Sequence, residues 1–272
     1  MVLSPLRGAV GFLTRVPVGG DAADWRAFTD APWAFPVVGA GVGLVFGVVL
    51  VLLQSLDFGV AAGAVFLAAL VALLGITHFD GVADLGDAAV VHGDAETRVG
   101  VLKDSDAGVG AVVALVLAMG GIASGAVAVL ALPAAGVVAV VVAAELGAKA
   151  TMAGVACLGE ARHEGLGSQF TDWNGRRELG AVALVVLVIT LAVLVIAPAA
   201  TAVTVGALAG GLLAGTLVAR WANSLLDGVN GDVFGAVDVA SRIAGLYGGF
   251  VTFRLLGWLV DGPAIALLEV TG

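Results

Sequence analysis

The residues best suited to chemistry lie in one run, His78-Phe-Asp80-Gly-Val-Ala-Asp84-Leu-Gly-Asp87. On a helix, Asp80, Asp84 and Asp87 fall at i, i+4 and i+7, so one face carries three carboxylates. Like charges held this close raise one another's pKa unless a cation sits among them. Hard oxygen ligands suit Mg²⁺, which keeps part of its water shell and takes a substrate phosphate. An acidic run outside a span is ordinarily a solvated cap. Here the run adjoins an apolar segment, and basic and hydroxyl residues follow it, so the pattern predicts a metal site on Asp80, Asp84 and Asp87.

Candidate phosphate-binding groups come next. Arg98 offers bidentate contacts and Lys103 a point charge. Ser105 and the backbone amides around Gly108 and Gly110 open the following helix, whose N-terminus favours an anion. In a second loop, Arg162 is suited to another phosphate or a carboxylate, with Glu164 fixing it; a basic membrane anchor is the equal alternative. A third loop reads Asp227-Gly-Val-Asn230-Gly231-Asp232. Gly231 allows a tight turn, and Asp232 is expected to cap the next helix. Asp238 lies about two turns into that helix, where a carboxylate in an apolar span points to function, as a further metal ligand or a general base. Glu145 and Lys149, at i and i+4 in another span, can neutralise each other. His78 is expected to support Asp80, and His92 and His163 to face water.

The rest of the chain must hold these loops at a membrane. Of 272 residues, 60% are hydrophobic and 12% charged, and the mean hydropathy is +1.11. That balance excludes a soluble domain and predicts an all-α, polytopic transmembrane helical bundle. A single cysteine, Cys157, excludes an intrachain disulfide and a cysteine metal site. The net charge of −9 argues against nucleic-acid binding. Few lysines with abundant Asp, Ala, Val and Gly fit a salt-rich cytoplasm.

Apolar runs long enough to cross a bilayer are expected at about 35–53, 59–77, 109–131, 134–157, 179–197, 199–219 and 234–260, so about seven spans. Residues 1–34 carry Arg7, Arg15 and Arg26 without a long apolar core. They read as an interfacial or re-entrant segment rather than a cleaved signal. Residues 1–272 then form one integral membrane domain. Gly39, Gly43 and Gly47, and Gly206 with Gly210, repeat every four residues and predict close helix packing. The connections at 78–108, 158–178 and 220–233 hold the basic residues, which places them and the N-terminus on the cytoplasmic side.

Taken in order, these loops resemble the cobalamin synthase (adenosylcobinamide-GDP ribazoletransferase) family over most of the chain. The resemblance rests on Gly11-Phe-Leu-Thr-Arg15-Val-Pro17 near the start and on Phe35-Pro36-Val-Val-Gly39. It continues through His78-Phe-Asp80-Gly81-Val-Ala83-Asp84-Leu-Gly-Asp87 and Lys103-Asp104-Ser105 with Gly108. It ends on Arg162-His-Glu164-Gly165-Leu-Gly167 and Gly231-Asp232 with Gly235-Ala236. Asp106 stands where the family commonly has Arg, and Val239 where an acid often follows Gly-Ala.

The resemblance implies a Mg²⁺-dependent membrane enzyme that joins adenosylcobinamide-GDP to α-ribazole or its 5′-phosphate and releases GMP. Asp80, Asp84 and Asp87 would then hold Mg²⁺, while Arg98, Lys103 and Arg162 stabilise the leaving group. Ser105, Glu164 and Asp238 would contact substrate, and Asp104 or Asp232 would be the base. Two other readings are a CDP-alcohol phosphotransferase analogue and an ion-coupled transporter using Glu145, Lys149 and Asp238. The chain lacks the Ala-Arg that follows Asp-Gly in the former class, and the latter leaves the clustering of polar motifs on one face unexplained.

Overall fold

A computed structural model describes residues 2–104 and 106–261; Ser105 lies outside the described residues. The chain is helical throughout this range, as expected where backbone polar groups must be satisfied within each apolar segment. Two short helices, α1 (Leu3–Leu13) and α2 (Ala22–Thr29), precede α3 (Ala34–Ser55). Then follow α4 (Ala61–Leu74), α5 (Thr77–Val90), α6 (Ala95–Val101), α7 (Val109–Val129) and α8 (Ala134–Leu158). The chain continues through α9 (Leu166–Thr171), α10 (Leu179–Ile196), α11 (Thr201–Leu226) and α12 (Gly231–Asp261).

Among the described residues five helices are long and apolar enough to cross a bilayer, namely α3, α7, α8, α10 and α11, and a sixth crossing arises if α4 and α5 form one bent span. At 31 residues, α12 extends about 46 Å at 1.5 Å per residue. It is long enough for a seventh crossing although it carries Asp238, Arg242 and Arg254.

The run expected to span 59–77 departs from that expectation. Its helix stops at Leu74 because Gly75 takes φ +82, a conformation glycine adopts without a Cβ penalty. The amide of Arg15 reaches the carbonyl of Leu73 at 2.7 Å and serves that helix end. The chain then turns by 103° into α5. Fourteen residues give α4 about 21 Å, short of a hydrocarbon core of about 30 Å. The acidic helix α5 thereby runs nearly at right angles to α4.

The bundle is built around α8. In its most apolar stretch 89% of the residues are buried, against 6% in α10. Both glycine stripes are contact seams. A Cβ on Gly39 would lie 2.7 Å from the carbonyl oxygen of Glu145, and one on Gly43 would lie 2.7 Å from Val142 Cα, so α3 lies directly against α8. A Cβ on Gly210 would lie 2.6 Å from the Ala244 carbonyl oxygen, joining α11 to α12 in the same way. Without a hydrophobic drive between helices in lipid, such close backbone approach supplies the dispersion contacts that hold a bundle.

The N-terminal segment docks on this bundle rather than trailing from it. Ala9, Leu13 and Phe28 are buried. Phe28 packs edge-on to Phe170 of α9 at 5.2 Å, and Phe170 meets Phe234 of α12 at 5.6 Å. This aromatic cluster fixes α9 and the start of α12, and with them two of the three polar loops.

Candidate active site

Helix α5 buries Phe79, Gly81, Leu85 and Ala88 and leaves Asp80 exposed, with Asp84 and Asp87 half-buried. Its inner face meets the first turns of α12. A Cβ on Gly81 would lie 2.6 Å from the carbonyl oxygen of Asp232, and one on Gly235 would lie 3.0 Å from the backbone of His78. Two segments some 150 residues apart in the chain are therefore locked backbone to backbone, and the carboxylate of Asp232 joins those of α5. Partial burial first, and then the charges of Asp232, Asp80 and Asp87, push Asp84 up to about 6.

Asp87 has a different task from the one its spacing suggested. Its Oδ2 accepts from the amide of Gly108 at 2.7 Å, and its Oδ1 accepts from Ala111 at 2.9 Å. It thus caps the N-terminus of α7 from outside that helix, satisfying donors that would otherwise lack partners. The expected cap at Asp232 is also displaced. Asn230 Oδ1 accepts from the Val233 amide at 3.1 Å, while its Nδ2 donates to Asp232 Oδ2 at 2.8 Å. Asn230 is the cap, and Asp232 is oriented by it.

The candidate cations divide. Lys103 and Arg162 line one cavity of about 590 Å³, together with Glu96, His163 and Asp227. Arg162 pairs with Asp227 at 2.9 Å rather than with Glu164. Arg98 turns away and donates to the carbonyls of Ala88 at 2.7 Å and Gly93 at 3.3 Å. It ties α6 to the end of α5. Asp104 sits on the exposed link between α6 and α7, where its Oδ1 accepts from Asp106. The polar loops nevertheless meet on one face. The amide of Val229 donates to Glu160 at 3.0 Å, and Gly167 lies against the backbone of Val229 and Asn230.

Asp238 is not a substrate contact. It is fully buried in a charge cluster inside the bundle. Lys149 bonds one of its oxygens, while Arg242 at 2.8 Å and His78 Nδ1 at 2.8 Å donate to the other. Arg242 also grips Glu145 with two nitrogens, one at 3.1 Å, and Lys149 lies 3.5 Å from Glu145. Two carboxylates and two cations balance, as burial in a low dielectric requires. The expected Glu145–Lys149 pair is thus half of a larger cluster, closed on itself rather than strung along a transport path. Arg242 was missed, although its i,i+4 spacing from Asp238 repeats that of Glu145 and Lys149.

The donor set of the acidic face suits a divalent cation of one particular kind. Among the described residues no three His, Cys, Asp or Glu side chains converge into a ready-made cage. Mg²⁺ is usually held by one or two carboxylates plus substrate phosphates, and Asp80 and Asp84 offer that partial set, with Asp232 beside them.

Comparison with known proteins gives the chain its family. A protein of Halorubrum lacusprofundi named adenosylcobinamide-GDP ribazoletransferase is 44% identical over 263 residues, covering 93% of this chain and 99% of its own. Proteins of the same name are 52% identical in Halobacterium salinarum, covering 72% of this chain and 98% of theirs, and 38% identical in Haloquadratum walsbyi, covering 94% and 100%. No solved structure matches the chain. The model of the CobS family, cobalamin-5-phosphate synthase, matches residues 5–250, and the chain belongs to that family.

Proposed function

We propose that this protein is a membrane transferase that joins adenosylcobinamide-GDP to α-ribazole or its 5′-phosphate and releases GMP. The observation that carries the reading is the seam of α5 and α12, where Gly81 meets the Asp232 backbone beside Asp80 and Asp84, joined through the Glu160–Val229 contact to the loop whose Arg162 lines a cavity with Lys103. An anionic diphosphate seated there meets two cations, and its reacting phosphorus meets a carboxylate suited to accept a proton.

The reaction is a phosphoryl-group transfer. A ribose hydroxyl of the acceptor attacks the cobinamide-linked phosphorus, and its proton passes to Asp232. The bond from that phosphorus to the bridging oxygen breaks, and GMP departs with the electron pair. Catalysis of this kind is mostly positioning and charge stabilisation. Asn230 orients Asp232, while Lys103 and Arg162 stabilise the departing phosphate. Asp80 and Asp84 would hold Mg²⁺, which when bound neutralises diphosphate charge. Asp232 is preferred to Asp104 as the base because it alone of the two belongs to the acidic cluster. The motif face is assigned to the cytoplasmic side of the cell membrane on the distribution of basic residues.

Mass spectrometry of the products tests this reading. Purified protein given both substrates should yield one joined corrinoid per GMP. GMP without a joined product, or GDP in its place, would refute it.

A further inference from the structure

A second cavity, of about 660 Å³, opens between α8 and α11, within the size range of small-ligand sites. Its shape follows from how these helices part. They touch where Gly147 faces Gly211 and where Thr151 meets Gly215. One turn further on, a Cβ placed on Gly154 would meet nothing within 4 Å. The helices therefore splay toward the loop face and leave a wedge beyond the Thr151–Gly215 contact. Along α11 its lining runs from Leu212 to Asn223, about 16 Å at 1.5 Å per residue.

We propose that this wedge is the subsite for the acceptor nucleoside and takes its flat aromatic base. The inference rests on the transferase reading above. Ala150, Gly154 and Val155 on one side and Leu212 on the other line an apolar slot, while Arg220 and Asn223 line it farther along α11, toward the loops. An apolar body with a few polar groups at one end matches a nucleoside, whose ring buries well and whose ribose needs hydrogen bonds. Position matters equally. Val229 lines the slot, and Asp232 is three residues on, so at most about 10 Å of chain separates them. A base held in the wedge would direct its ribose toward the carboxylate that accepts the proton. The cationic cavity with Lys103 and Arg162 is left for the anionic donor.

Gly154 gives the direct test, since a Cβ there meets nothing within 4 Å and a leucine side chain would extend from it into the wedge. Full-length protein in detergent would be assayed for both KM values, and α-ribazole binding without donor would be followed by equilibrium dialysis. Gly154→Leu should raise the acceptor KM by about tenfold or more, leave the donor KM within about twofold, and weaken α-ribazole in dialysis by a similar factor. Asn223→Ala, at the exposed mouth, should show the same selective rise and serves if the leucine variant does not fold. An unchanged acceptor KM, an equal rise in both KM values, or a co-purifying lipid lost on Gly154→Leu would overturn the assignment. Wild-type protein that binds α-ribazole at a Gly154-sensitive site without turnover would keep the subsite and refute the transferase reading instead.

Discussion

At the scale of single residues, the acidic cluster trades stability for function. Asp84 has an ordinary pKa of 3.8 and is pushed up to about 6 in the fold, by burial first and then by its acidic neighbours. A raised pKa means that the folded state holds this proton more tightly. The associated stability is complete below about pH 4 and is lost as pH rises through 6. In the absence of divalent cations, Asp84→Asn should therefore raise the thermal midpoint at pH 8, and the gain should vanish as the pH falls toward 4. The same variant should lose turnover. Burial sets the opposite expectation for the inner cluster. Asp238→Asn leaves Lys149 and Arg242 with one carboxylate between them, and breaking such a cluster costs about 3–5 kcal/mol. Thermal unfolding would detect this, and a midpoint equal to wild type would show that the cluster is not load-sharing. That Asp80 and Asp84 share one helix face could be read from the sequence. The distant partners of Asp87 and Arg242 could not, because Gly108 and Glu145 lie 21 and 97 residues away.

At the scale of elements, two glycine contacts separate folding from catalysis. A side chain at Gly43 would push α3 off the central helix, since its Cβ meets backbone at 2.7 Å. Gly43→Leu should yield no monodisperse protein by size-exclusion chromatography. Gly81→Ala strikes only the seam between α5 and α12, where the Cβ would meet the Asp232 carbonyl at 2.6 Å. It should leave a folded protein whose kcat falls by up to about a hundredfold, the cost of a misplacement near 1 Å. The spans at α3, α7, α8, α10 and α11 follow directly from hydropathy, and the four-residue glycine spacing announces their seams. The bend at Gly75 does not, because hydropathy runs on through it and only a local positive φ ends the helix. The hidden bend is what lays the acidic helix across the end of the bundle.

At the scale of the whole molecule, a helical scaffold presents one cavity lined by Lys103 and Arg162 and another between α8 and α11. The proposed donor site holds Lys103 and Arg162, so Lys103→Ala and Arg162→Ala should each raise the donor KM by about tenfold or more, as lost charge-assisted hydrogen bonds do. The acceptor KM should stay nearly constant, and equal rises in both would contradict separate subsites. The loops' common face was legible from the spread of basic residues. Their actual contacts, Glu160 to Val229 and Gly167 to Asn230, depend on tertiary packing that no local pattern announces. The measurement closest to the central claim is GMP release by detergent-purified protein given adenosylcobinamide-GDP and α-ribazole, with and without Mg²⁺, for wild type and Asp84→Asn. The account predicts Mg²⁺-dependent release by wild type only, with no need for a sealed membrane. Equal release by both proteins, or release indifferent to Mg²⁺, would contradict it.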